Sequence, residues 1–218
     1  MTTNSQNSAW RSRLGAVAAL LTIGLLLAAS SARADLFEFT SDHCSGGCGT
    51  PPFGTVTLTQ NGANVDITVS ITPNFWAKTG SVDFLMFKFN DSGITAANII
   101  NESFDSQTVE GVQGTFNGDG TGAFSFGISC TSCKNGNSGL SDDLTFTVTN
   151  TTLADLETAN ANGNIFVADI FSAQTGKTGP VDVNTGPPTT PDAGSTALLL
   201  GLGLFGLGFV RMPLRKKA

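Results

Sequence analysis

Between residues 36 and 171 the apolar positions recur at a period of two, the spacing of a strand with one buried face, rather than at three and four. Phe53-Gly54-Thr55-Val56-Thr57-Leu58-Thr59 sets Phe53 and Thr55 on one face and Val56 and Leu58 on the other. Asn61-Gly62 then predicts a type I′ hairpin turn, and Val65-Asp66-Ile67-Thr68-Val69-Ser70-Ile71 resumes the alternation. In Val82–Phe89 (VDFLMFKF) both faces are mostly apolar, which predicts a strand buried on both sides. Ala123–Ile128 (AFSFGI), Leu144–Val148 (LTFTV) and Gly163–Phe171 (GNIFVADIF) predict further strands, with Leu36–Phe39 as a short first one. The Thr, Val, Ile and Phe that fill them suit a pleated surface. One short helix is expected over Thr152–Ala159, with Thr151 or Thr152 at its cap and Asp155 in its first turn. Ala96–Asn101 reads either way. Seven or more short strands parted by Gly, Asn and Asp turns predict an all-β fold, an antiparallel β-sandwich of jelly-roll-like type with one short helix. From Thr175 the Gly, Thr and Pro content predicts coil, and Asn184–Pro191 (NTGPPTTP) an extended tether.

The two ends break this pattern. Arg11 and Arg13 precede an uncharged stretch from Leu14 to Ala32, followed by Ala32-Arg33-Ala34. A basic start, an apolar core and small residues spaced A-x-A are the parts of a secretory signal, with cleavage after Ala34 and Asp35 as the new first residue. An uncleaved anchor is the alternative. At the other end, Ala193–Val210 (AGSTALLLGLGLFGLGFV) runs 18 residues without a charge. At about 1.5 Å per residue this reaches roughly 27 Å, enough to cross a bilayer core as a C-terminal transmembrane helix. Arg211, Arg215, Lys216 and Lys217 follow at once, and such a basic stop stays on the cytoplasmic side, leaving everything before Ala193 outside. The expected organisation is therefore a signal peptide (1–34), an extracytoplasmic domain (35–183), a linker with its motif (184–192), the span (193–210) and a basic tail (211–218).

Charge sharpens the address. The whole chain carries a net charge of −6. All 17 acids lie between Asp35 and Asp192, where only Lys78, Lys88, Lys134 and Lys177 oppose them, so the exported part stands at −13. Such a surface repels nucleic acid and anionic lipid. With charged residues at 13% and 26 glycines in no three-residue period, coiled-coil and collagen-like chains are excluded as well.

Four cysteines form two close pairs, Cys44-x3-Cys48 and Cys130-x2-Cys133. Three connectivities are open. In an oxidising compartment disulfides are favoured, and local bridges need the least chain movement. A four-cysteine zinc site and a redox C-x-x-C are the rivals; Cys130 follows a strand and lacks the helix that would acidify a redox thiol.

Candidate chemistry is sparse, and neither a catalytic residue nor a cofactor is predicted. His43 is the single histidine, and no G-x-S-x-G elbow accompanies it, so a loop histidine capping a turn is the economical reading beside a hydrolytic triad. Asn117-Gly118-Asp119-Gly120-Thr121-Gly122 opens like an EF-hand loop, but its twelfth position is Ile128, where a bidentate Glu is needed. A looser calcium loop with Asp142 and Asp143 is the residual metal reading; a glycine-rich turn is the default. Trp76, after Phe75, predicts a buried residue between two sheets, with a sugar-stacking platform as its functional alternative.

Pro191-Asp192-Ala193-Gly194-Ser195-Thr196, then the apolar segment, then the Arg211–Lys217 cluster, resembles the PEP-CTERM sorting signal of exported bacterial proteins. It is closest to variants reading Val-Pro-Asp-x-Gly-Ser, with Thr190 standing in place of Val. The resemblance implies processing by an exosortase, a membrane cysteine transpeptidase, and delivery to the envelope or an exopolysaccharide matrix. The body is similar to PEP-CTERM proteins without established catalytic residues. The stretches concerned are Ser41–Gly49 (SDHCSGGCG), Phe53–Thr57, Ile165–Ile170 and Thr178–Asp182. Together these features predict a non-enzymatic exported protein of the cell envelope, with a carbohydrate- or calcium-binding module as the alternative and an extracellular hydrolase behind both.

Overall fold

The computed structural model describes residues 33–77, 84–118, 120–133 and 139–184. Twelve strands run through them: β1 (Ala34–Glu38), β2 (Ser41–Asp42), β3 (Thr55–Asn61), β4 (Asn64–Ser70), β5 (Phe75–Trp76), β6 (Phe84–Phe89), β7 (Ile99–Ser103), β8 (Val109–Gly118), β9 (Gly122–Cys130), β10 (Leu144–Thr149), β11 (Phe166–Phe171) and β12 (Thr178–Val183). One sheet has the order β1-β3-β4-β10-β7. The other runs β2-β12-β11-β6-β9-β8, with β5 added on β11. Every pairing is antiparallel.

Alternation explains the first sheet directly. Val56 and Leu58 on β3, Val65, Ile67 and Val69 on β4, and Leu144, Phe146 and Val148 on β10 are all buried, while the threonines between them are half-buried on the outer face. The second sheet contributes Phe87, Phe89, Phe126, Ile128, Phe166, Ala168, Ile170, Val181 and Val183 to the same hydrophobic cluster. Aromatic rings join the layers. Phe87 on β6 lies 5.9 Å from Phe146 on β10, and Phe37 on β1 meets Phe166 on β11 edge to face at 5.2 Å. The architecture is an all-β sandwich closed by phenylalanine, which fills space without a polar tip to satisfy.

Several elements differ from the sequence expectation. The β3–β4 turn pairs Asn61 with Asn64, so Gly62 and Ala63 form the two-residue loop, and of these only Gly62 has a positive φ (62°). Glycine at the first central position alone is the requirement of a type II′ turn, which corrects the type I′ expectation. The expected helix shrinks to one turn, α1 (Leu153–Leu156). Thr152 caps it in a reciprocal box with Asp155, and its two leucines are buried. The coil expected from Thr175 is β12: residues 178–183 pair in full with β11, and the Pro180 carbonyl accepts from the His43 N–H. The 96–101 ambiguity resolves into a 3₁₀ turn (Ala96–Asn98) and the start of β7. Among the described residues no helix is long and apolar enough to cross a membrane; the expected span, 193–210, lies outside them.

Both cysteine pairs are bonded locally, Cys44 to Cys48 with Cα atoms 5.2 Å apart and Cys130 to Cys133 at 5.5 Å. Trp76 is fully buried, its ring 5.9 Å from Phe104 and its Nε1 donating to the Asp142 carbonyl at 3.0 Å. A ring enclosed in this way cannot stack on a sugar, so the platform reading of Trp76 is removed.

Candidate functional site

The outer face of the seven-stranded sheet gathers the polar groups that the core refuses. Register fixes which ones: Val167 on β11 faces Asp182 on β12 to one side and Lys88 on β6 to the other. Phe166 and Ala168 point into the core, so Val167, Asp182 and Lys88 share the opposite face. Asp169 lies two residues along that face.

The Cys44–Cys48 loop covers one end of this row. Its backbone is held by β2 pairing with β12 and by the His43 N–H donating to the Pro180 carbonyl at 2.9 Å. Ser172 Oγ donates to the Cys48 carbonyl, and Thr175 Oγ1 to the Gly47 carbonyl. Thr50 and Gln174 exchange two hydrogen bonds between backbone and side-chain amide, at 2.9 and 3.1 Å. Gly179 permits the approach, since a Cβ there would stand 2.7 Å from the Cys44 Cα. The small loop is thus clamped on the β11–β12 hairpin.

That clamp positions His43. Its Nε2 lies 2.7 Å from Oδ2 of Asp182, whose side chain is 1% exposed against 31% for the imidazole. The other ring nitrogen, Nδ1, lies against the Gly120 backbone, where a Cβ would come within 3.1 Å. The turn before β9 is anchored in place: Asn160 and Asn164 both donate to the Thr121 carbonyl at 2.8 Å, and Asn162 donates to the Gly120 carbonyl at 3.3 Å. These carbonyls are therefore engaged by amides. Sequence reading placed His43 at a turn but gave no sign of Asp182, which is 139 residues away. Replacing His43 by alanine removes the partner of Asp182 Oδ2 while Oδ1 already lacks one. Such a loss costs about 1–3 kcal/mol, at the lower end here because the imidazole is partly solvated. Chemical denaturation of the His43→Ala protein checks this value.

Asp42, Cys44 and Cys48 bring ligand-capable atoms within 4.8 Å of one another. The two sulfurs are bonded to each other and carry no thiolate, so this cluster does not suit a metal. Cys130 and Cys133 are likewise bonded to each other, which removes the four-cysteine zinc arrangement in this state.

A second polar cluster sits at the start of β1. Asp35, 4% exposed, pairs with Arg33 at 2.8 Å, and Glu157 at the end of α1 also contacts it. Burial pushes the Glu157 carboxyl up to about 7, assisted by its contact with Asp35 and opposed by Arg33. Two ionised carboxylates have no hydrogen to share, so the contact is satisfied when Glu157 is protonated. The folded protein then holds a proton that the unfolded chain releases near pH 4.5. This contribution to stability is complete below about pH 4.5 and is lost as the pH rises through about 7. Thermal melting of Glu157→Gln across that window is expected to be flatter with pH than that of the parent protein.

Of the residues expected at the signal cleavage site, Ala34 opens β1 opposite Thr59, Asp35 is the buried acid just described, and Ala32 lies outside the described residues. The sorting residues Pro191–Thr196 and the basic stop at Arg211, Arg215, Lys216 and Lys217 also lie outside them. What the structure does place is their point of departure, since β12 ends at Val183 between β2 and β11.

Comparison with known proteins bears on that tail. Residues 191–211 match the model of the VPDSG-CTERM motif. This sorting-signal family is related to PEP-CTERM. The class defined is an exported, envelope-associated protein with a C-terminal sorting signal, of the kind handled by a sortase-like enzyme of the exosortase type. No curated protein and no solved structure matches the chain.

Proposed function

We propose that this chain is a non-enzymatic structural protein of the cell envelope or extracellular matrix, displayed as a disulfide-bonded β-sandwich on a sortable tail. The single observation that carries the reading is the sorting-motif match at residues 191–211. Residues 1–34 act as a cleaved signal peptide. The segment 193–210 holds the precursor in the membrane with Arg211–Lys217 inside, and the exported part, residues 35–192 at −13, stands on the far side. An exosortase-type transpeptidase then cuts near Pro191–Thr196 and delivers the domain to an exopolysaccharide-rich surface. The strand order, in which β10 inserts between β4 and β7, supports a jelly-roll-like connectivity. The clamped disulfide loop and the enclosed Trp76 suit a module built to persist outside the cell.

Maturation has an order. In the uncleaved chain the bond after Ala34 lies within β1, whose backbone pairs with β3, so on this reading signal cleavage precedes closure of that strand. Deleting residues 191–218 is expected to move the protein from the envelope fraction to the medium. Unaltered fractionation of that deletion, by immunoblot of membranes and medium, overturns the proposal.

A further inference from the structure

Lys88 and Asp169 form the shortest of the three ion pairs among the described residues, with Nζ 2.6 Å from Oδ2. Their side chains are only 6% and 20% exposed. Both project from the outer face of the seven-stranded sheet, on the adjacent strands β6 and β11, in a register set by Lys88 facing Val167. The surroundings are apolar on both flanks. Val167 is fully buried, and Gly127, which faces Lys88 from β9, is roofed by Leu85, whose Cδ2 would stand 2.6 Å from a Cβ at that position.

We propose that Lys88 and Asp169 condense into an intramolecular isopeptide bond, Nζ to Cγ, which ties β6 covalently to β11. The step balances without any co-reactant. The nitrogen forms one bond to the carboxyl carbon, the carboxyl group loses one oxygen, and two of the three ammonium hydrogens leave with that oxygen as water. The third remains on the amide. Neither residue is oxidised or reduced.

Three physical features favour the reaction over a persistent ion pair. The strands hold the Lys88 Nζ 2.6 Å from Asp169 Oδ2, an oxygen on the carbon it would attack, and groups held in a productive arrangement react with effective molarities of about 10⁵–10⁸ M. Burial of two opposite charges carries a desolvation cost, and the amide removes both charges at once. Bulk water, which drives hydrolysis, is largely kept from Lys88. The existing cross-links leave this role open. The two disulfides join residues only 4 and 3 positions apart, whereas Lys88 and Asp169 are 81 apart and lie at the centre of a sheet.

Mass spectrometry of the folded full-length protein, digested after reduction and alkylation, tests the proposal. The expected result is a branched peptide joining Lys88 to Asp169, lighter than its two components by one water. Asp169→Ala should abolish it. So should Lys88→Met, which keeps an unbranched apolar side chain at the site and guards against misfolding as the explanation. Linear peptides of full mass spanning Lys88 and Asp169 in the parent protein overturn the proposal. A water loss that persists in both variants overturns it equally, because it places the dehydration at another residue.

Discussion

Asp169→Ala is expected to destabilise the folded protein by at least about 3–5 kcal/mol, because it leaves the Lys88 ammonium buried without a partner, and loss of the proposed cross-link adds to this. The asymmetry of the pair makes the expectation specific. Lys88 is the more enclosed partner at 6% exposure, while Asp169 at 20% keeps some contact with water. Stranding the lysine should therefore cost more than stranding the aspartate, and Lys88→Met should be the milder change. Combining Lys88→Met with Asp169→Ala should restore part of the loss, since no charge is then left behind. Urea denaturation of the two single variants and the double variant closes the cycle. Equal losses in both single variants, with simple addition in the double, would show that the pair is solvated and contradict the burial argument.

Phe87→Ala should be comparably severe, at about 3–5 kcal/mol. Phe87 is fully buried on β6, stacks on Phe166 at 5.6 Å, lies 5.9 Å from Phe146 of the facing sheet and contacts Phe89 at 6.1 Å. It is a common neighbour of rings from both layers. Its removal opens a cavity walled by phenylalanines on strands whose backbones are pinned by β9 and β11, so collapse around the void is limited. Phe75 is the control. It is half-buried, it pairs on the outer face with Phe171 at 6.4 Å, and its truncation should cost much less. Thermal and denaturant unfolding of both variants measure the difference.

The parts of the fold that sequence made legible share one property. On β3, β4 and β10 one face meets the core and the other meets water, so Val56, Leu58, Ile67 and Phe146 stand out against the threonines between them. Where that contrast fails, so does the reading. Strand β8 (VEGVQGTFNG) is interrupted by glycines and carries little apolar signal; its place is set by its long pairing with β9. Strand β12 looked like coil because Gly179 and Pro180 are poor strand residues. One lets the disulfide loop come close, and the other presents a carbonyl to His43.

The candidate sites divide in the same way. Four cysteines at short spacing and the charged ends are local features read from spacing and charge, while Pro191–Thr196 is read by its resemblance to a known sorting signal. Lys88 was visible only as an odd polar residue in an apolar run, and His43 only as a lone imidazole. Their partners Asp169 and Asp182 lie 81 and 139 residues away. By itself, then, the sequence determined the β class, the envelope address and the local cysteine pairing as an expectation, because each depends on near neighbours. The tertiary structure alone decided which acid meets which base, since antiparallel register between strands distant in the chain sets those contacts and no periodicity along the chain encodes it.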